Sequence, residues 1–159
     1  LKEILNLAGL NSIDSIELIG RFENSDTELF AKAHKNWYKI NYHGILSQEK
    51  LFKIVSNSKA GLCLLHPTKN YLESIPVKIF EYMAIGLPVI YSNFPFWKTL
   101  YLKYNIGLNL NPLDVDMKKL NEFLNDSNKL NETRINNVKV INEFFSWESQ
   151  CKILISHYE

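Results

Sequence analysis

Apolar and polar positions along this chain follow two periods: two residues in short stretches, and the helical period in the longer segments between them. Ser15 to Gly20 alternates and predicts a strand ending in a glycine turn; Lys39 to His43 predicts a second, followed by Gly44. Ala60 to Leu65 is almost continuously apolar, as in a strand covered on both faces. Pro88–Tyr91 and Gly107–Leu110 predict two further short strands. Helical patterns fill the intervals. They cover residues 1–9, closed by Gly9; 26–36, with Leu29, Phe30 and Ala33 on one face; a segment capped by Ser47, with Glu49 in its first turn; Pro76 to Gly86; 95–104; 114–125; 128–143; and 147–158. Proline just inside the start and glycine at the end mark the 76–86 helix. The alternation predicts an α/β fold, a Rossmann-like parallel sheet flanked by helices with a helical C-terminal tail, in one compact domain over 1–159.

Composition narrows the function classes. At 159 residues, 46% apolar and 22% charged, the chain is an ordinary globular domain with a net charge of +1. That balance gives no electrostatic footprint for nucleic acid, so no nucleic-acid partner is expected. Cys63 and Cys151 lie far apart inside apolar stretches and read as reduced core thiols. His34, His43, His66 and His157 show no metal-ligand spacing. No apolar run approaches the roughly 18 residues of a membrane span, and the first residues read as an amphipathic helix rather than a signal peptide. The chain opens without an initiator methionine, which fits a fragment or a processed protein.

In an open parallel sheet, ligands bind beyond the carboxyl ends of the strands. That rule selects the loops Gly20–Thr27, His43–Ser47 and His66–Pro76, the last being the longest and most polar. The helix opening at Pro76 presents unpaired backbone N–H groups near Val77 and Lys78, a ready site for a phosphate. Glu73 precedes that turn and Glu81 lies one turn inside the helix. Ionised carboxylates accept hydrogen bonds only, so the two suit sugar or ribose hydroxyls on either side of a diphosphate. Spacing alone equally fits a solvated loop Glu73 and an intrahelical Glu81–Lys78 pair.

The wider segment is more specific. Glu73-Ser-Ile-Pro-Val-Lys-Ile-Phe-Glu81-Tyr-Met-Ala-Ile-Gly-Leu-Pro-Val-Ile-Tyr-Ser92 resembles the donor-binding signature of the retaining glycosyltransferases of the GT-B fold known as glycosyl transferases group 1. Further matches follow in order: Ile16-Glu-Leu-Ile-Gly20, His43-Gly-Ile-Leu-Ser47, Leu64-Leu-His-Pro67, Gly107 with Asn111-Pro112, and Phe145-Ser-Trp-Glu148. The resemblance implies that this is the C-terminal, nucleotide-sugar-binding half of such an enzyme, with a hexosyl group as its cargo.

The resemblance implies residue roles as well. Glu81 would bond the ribose, and Glu73 would approach the sugar hydroxyls as the catalytic residue. Backbone groups of Ser74, Ile75, Pro76 and Val77 would meet the sugar or diphosphate. Gly44, Ile45 and Leu46 would pack around the base, and Gly20 would keep the backbone close to the cleft. Lys78 either adds a charge at the phosphate or faces water; His66 either faces the sugar or is satisfied by backbone groups. Trp147 is expected to pack, Arg21 to lie on the surface, and Phe80, Met83 and Ala84 to lie in the core. The implied donor is a UDP- or GDP-sugar, with no metal and no cofactor. The implied location is cytoplasmic, any peripheral membrane association being made by the absent domain.

Two departures limit the expectation. The family's diphosphate-binding Arg and Lys precede the first helix and are not present, and the N-terminal acceptor domain is the missing partner. The chain alone is therefore expected to bind nucleotide weakly and not to turn over. A nucleotide-sugar epimerase-like GT-B domain and a non-catalytic binding or assembly module stay open as alternatives.

Overall fold

Asn24, Asp116 and Asp126 each accept a hydrogen bond from the backbone N–H three residues on, at 2.8 to 2.9 Å. These caps set where three of the helices begin. The computed structural model describes residues 1–158, the side chain of Leu100 excepted; Glu159, the end of the expected domain, lies outside them. The chain groups into two compact units, Leu1–Asn57 and the residues from Ser58 on.

The first unit runs α1 (Lys2–Leu7), β1 (Ile16–Ile19), α2 (Ser25–Lys32), a 3-10 turn at Trp37–Lys39, β2 (Ile40–Gly44) and α3 (Gln48–Ser56). β1 and β2 pair in parallel from Ile16 opposite Ile40 to Ile19 opposite Gly44. Leu5, Leu7, Ala8, Ile16, Ala31 and Ile40 are buried. Two polar side chains hold α1 and the turn that follows it. Buried Asn36 donates to the Leu5 carbonyl at 2.9 Å, and Lys39 Nζ donates to the carbonyls of Leu10 and Ile13 at 2.9 and 2.7 Å. Phe22, Trp37 and Tyr42 cluster with ring centroids 4.8 to 6.4 Å apart.

The second unit runs β3 (Gly61–Cys63), α4 (Lys69–Leu72), α5 (Val77–Ala84), β4 (Val89–Ser92), α6 (Pro95–Leu102), β5 (Gly107–Leu110), α7 (Met117–Asn125), α8 (Ser127–Val140), a π turn at Ile141–Phe145 and α9 (Trp147–Ile155). β4 lies between β3 and β5 in a parallel ladder, and all four of its residues are buried. Cys63, Ile79, Met83, Val89, Tyr91, Phe94, Trp97, Tyr101, Ile106 and Val140 form the core. α8 closes the unit through polar contacts: fully buried Asn137 donates to the carbonyls of Leu87 and Ile106 at 2.9 and 3.1 Å. Arg134 donates to the Ser58 carbonyl at 2.6 Å.

Parallel sheets flanked by helices, ending in a helical tail, are the architecture the alternating pattern predicts. The described strands form two ladders rather than one continuous one. Several local expectations change. Gly9 is not a left-handed cap; α1 ends at Leu7, and a Cβ on Gly9 would sit 2.8 Å from the Asn36 amide nitrogen, so closeness explains the glycine. Leu29 and Phe30 are 66% and 50% exposed and Ala33 is exposed, while Ala31 is the buried residue of α2, because its small side chain is the one that faces the unit's core. Pro76 is the residue before α5 rather than its first residue. Ser47 precedes α3 without a side-chain capping bond. The expected loop 66–75 contains the short α4. Ala84 faces solvent while Met83 is fully buried and Phe80 half-buried. Cys63 is buried, but Cys151 only partly so; both are free. Trp147, expected to pack, is 76% exposed.

Two expected outcomes follow. A Cβ on Gly107, whose φ is +153°, would lie 2.1 Å from the Val89 carbonyl oxygen. Neither backbone can yield without breaking the ladder, so Gly107→Ala is expected to destabilise the protein by about 3 kcal/mol or more; a denaturation midpoint within error of the parent would contradict this. The second concerns Glu17, which accepts from Ser15 Oγ, from Asn41 at 2.7 Å and shares a 2.5 Å contact with His43 Nε2. Burial pushes its carboxyl up, and the bonds from His43, Asn41 and Ser15 outweigh that and hold it below its ordinary value. A lowered folded pKa gives stability that is full above the unfolded value of 4.5 and is lost as pH falls through the folded one. Glu17→Gln is thus expected to be less stable than the parent near neutrality, with the gap narrowing in acid. A gap that does not vary with pH would refute the assignment.

Candidate functional site

The strands of both units deliver polar loops from their carboxyl ends. In the first unit, Gly20 N–H donates to the Gly44 carbonyl at 2.8 Å, so the turns leaving β1 and β2 are tied together. Gly20 and Gly44 have φ of +127° and +62°, conformations that side-chain-bearing residues rarely adopt. An added Cβ at either would meet nothing within 4 Å. Backbone shape rather than crowding calls for glycine there, and the space beside both turns is open. Ile45 is 75% exposed and Leu46 half-buried. A small open pocket lies at the end of β1, lined by Gly20, Arg21, Phe22, Thr27 and Tyr42 among others; Arg21 itself is exposed.

In the second unit, β3 ends at Cys63 and the chain passes through Leu65 to His66. Ser92 Oγ accepts from Leu65 N–H at 2.8 Å and donates to the Leu65 carbonyl at 2.9 Å, which fixes the start of the loop to the end of β4. His66 is exposed, and its carbonyl accepts from Thr68 N–H at 2.8 Å. The loop's far end is fixed by Trp97, whose indole N–H donates to the Ser74 carbonyl at 2.7 Å. Pro76 then turns the chain into α5, with φ −68° and ψ 120°.

α5 buries Ile79 and Met83 and leaves Val77, Lys78 and Glu81 exposed. No side chain caps its start, and the N–H groups of Val77 and Lys78 find no acceptor among the described residues. The first turn of a helix carries a partial positive charge of about half an elementary unit. Glu73, one residue before Ser74, and Glu81 both face solvent. Among the described residues neither carboxylate enters a hydrogen bond or ion pair with the protein, so the intrahelical Glu81–Lys78 pair does not form. Beneath this turn the interior is apolar. Burial pushes the Cys63 thiol up to about 11, the charge on Lys78 opposing it. Burial likewise pushes the Tyr82 hydroxyl up to about 12, with Cys63 and Glu81 adding to the rise. Neither group supplies a nucleophile near neutral pH.

The structure thus gathers Glu73, Ser74, Ile75, Pro76, Val77, Lys78 and Glu81 at one turn, with His66 at the other end of the same loop. It gathers Gly20, Gly44, Ile45 and Leu46 at one end of the β1–β2 ladder in the other unit. Sequence reasoning missed Ser92 and Trp97, the side chains that hold the two ends of the long loop. Ser92 carried a signal, as a lone hydroxyl closing an apolar strand. Trp97 carried little, since its helical pattern reads simply as core.

A family model described as Glycosyl transferases group 1 matches residues 15–140. No curated protein sequence matches the chain. Among solved structures it is similar to WaaG, a glycosyltransferase involved in lipopolysaccharide biosynthesis, with a TM-score of 0.68 at 14% identity. The match covers 96% of this chain and 41% of that one, so this chain spans less than half the length of that relative. At that identity the likeness establishes the fold, the Rossmann-like α/β architecture of GT-B proteins. With the family model matching from β1 to the end of α8, the chain belongs to the glycosyl transferases group 1 family.

Proposed function

We propose that this chain is the donor-binding half of a retaining glycosyltransferase, transferring a hexosyl group from a nucleoside-diphosphate sugar to an acceptor hydroxyl. The observation that carries this reading is the uncapped first turn of α5, flanked by two exposed carboxylates without partners among the described residues. A diphosphate placed there would accept from the Val77 and Lys78 N–H groups and lie in the field of the helix terminus. Glu81 would then accept from ribose hydroxyls and Glu73 from the sugar hydroxyls, with Lys78 adding charge at the phosphate. The family resemblance assigns Gly20 and the Gly44-Ile45-Leu46 turn of the first unit to the base, and the missing side chains at the two glycines leave the backbone there accessible. His66 would border the sugar.

The chemistry follows from the leaving group. The bond from the anomeric carbon to the diphosphate oxygen breaks through a loose, oxocarbenium-like transition state, and the electron pair leaves with the diphosphate. Donors already aimed at that oxygen stabilise the growing charge without reorganisation. The acceptor hydroxyl attacks the face from which the diphosphate departs and gives its proton to the departing diphosphate oxygen, and configuration is retained. This reading requires neither a metal nor a cofactor. The acceptor would be held by an N-terminal domain outside this chain, which would also supply any membrane association of a cytoplasmic enzyme. The likeness to a lipopolysaccharide-pathway glycosyltransferase supports a role in bacterial polysaccharide or glycan synthesis.

In the full-length protein, Glu81→Ala is expected to weaken UDP or GDP binding by about 10- to 100-fold, the worth of hydrogen bonds to a charged group. Glu73→Ala is expected to lower kcat about as much while nucleotide affinity holds. Calorimetric titration with each nucleotide, paired with donor turnover, checks both; unchanged affinity in Glu81→Ala would contradict its ribose role, and no nucleotide binding by the full-length protein at millimolar concentration would point to an assembly module instead. The chain alone, residues 1–159, is expected to show no sugar transfer. Measurable transfer by it, given intact donor and acceptor, would sink that expectation.

A further inference from the structure

Trp97 is fully buried, yet its one polar atom is spent on a loop carbonyl. The indole N–H is a donor only, and a buried one needs an acceptor. Among the described contacts its acceptor is Ser74 O, at 2.7 Å. That carbonyl belongs to the peptide unit joining Ser74 to Ile75. In a planar trans peptide the C=O and N–H point in opposite directions, and the chain contains no cis peptide among the described residues. With the Ser74 carbonyl turned inward to Trp97, the Ile75 N–H is turned outward. Ile75 is 47% exposed, and its N–H finds no acceptor among the described residues. Pro76 has no N–H, so Ile75 supplies the nearest backbone donor before Val77.

The same face of α6 also fixes α5, the helix into which the loop leads. Tyr101, one turn after Trp97, packs edge-on against Phe80 of α5 at 6.3 Å and against Tyr91 of β4 at 5.4 Å. Trp97 itself packs on Phe94 at 4.9 Å and on Tyr101 at 6.4 Å. One helix therefore holds the loop by a hydrogen bond and α5 by ring contacts. Turning the Ser74–Ile75 peptide over would strand a buried indole N–H, which makes the outward donor the only comfortable state.

We propose that Trp97 is a positioning residue for donor binding: its indole N–H sets the Ser74–Ile75 peptide so that the Ile75 N–H joins those of Val77 and Lys78 facing the diphosphate. The proposal rests on the donor-site reading above and deepens it by naming the residue that orients a third backbone donor.

The test uses the full-length enzyme with Trp97 replaced by 3-benzothienylalanine, which keeps the ring shape and removes the N–H. A 5-fluorotryptophan replacement, which keeps the N–H, serves as rescue, and Trp97→Phe as a second variant. The readouts are the inhibition constant of the nucleoside diphosphate (UDP and GDP each tried), the KM for acceptor, and the denaturation midpoint. The benzothienyl enzyme is expected to bind the nucleoside diphosphate about tenfold more weakly, with acceptor KM unchanged and the fluorotryptophan enzyme restored. Trp97→Phe is expected to show the same selective loss on top of any lowered midpoint. An unchanged inhibition constant in the benzothienyl enzyme, or equal losses for donor and acceptor, overturns the role of Trp97. Glu81→Ala run alongside separates the two claims. If it weakens nucleotide binding while the benzothienyl enzyme does not, the role of Trp97 alone falls; if Glu81→Ala has no effect, the donor-site reading falls and takes this inference with it.

Discussion

The packing of α5 against the β3–β4–β5 ladder determines where its first turn ends up, and the candidate site depends on that placement. Ile79 and Met83 are fully buried against Cys63, Val89 and Tyr91, so the helix can rotate very little about its axis. Emptying a position of that kind costs about 2–5 kcal/mol in a typical core. With the inner face committed, Val77, Lys78 and Glu81 are obliged to face outward. The N–H groups of the first turn project from the carboxyl side of the strands without a capping side chain. A Ser or Asp in place of Pro76 could have closed that turn with its own oxygen; proline leaves it open.

The surroundings of this turn are unusually fixed for a loop. Ser92 holds one end through both backbone groups of Leu65, and Trp97 holds the other through Ser74. Gly61 lets Tyr82 lie flat against β3, since a Cβ there would come 2.4 Å from the ring. Gly107 allows β5 to approach Val89 in the same way. Close backbone packing in the ladder, a buried aromatic layer and two hydrogen-bonded loop ends give a rigid platform. Rigidity is what electrostatic stabilisation of a leaving group needs, because donors that must move first give back part of their benefit.

Much of this was legible in the residues. The strand at Gly107–Leu110 and the helix over Val77–Ala84 follow from apolar spacing and from the Pro76 and Gly86 signals, and the family signature pointed to this turn. What the pattern could not reveal were polar residues in apolar slots. Thr133 and Asn137 occupy the inner face of α8 beside Leu130 and Val140, and a reading by hydrophobicity counts them as gaps. They are buried because Thr133 bonds back to its own helix and Asn137 reaches two carbonyls far away in sequence. Leu29 and Phe30 failed in the opposite sense: adjacent large apolar residues suggest a buried face, yet small Ala31 is the one that faces inward. Trp97 was invisible as a loop anchor because nothing in its own segment names Ser74, 23 positions away, as its partner. The pairing of Gly20 with Gly44 was legible only as two glycine turns after two strands, and the hydrogen bond between them needed the parallel register.

The central claim is that the open first turn of α5 receives a diphosphate. A crystal structure of the full-length protein grown with saturating UDP or GDP tests it most directly. The expected result places diphosphate oxygens within about 3 Å of the Val77 and Lys78 nitrogens, the ordinary length of such bonds, with the ribose against Glu81. A nucleotide bound elsewhere, with that turn left to solvent, would contradict the account.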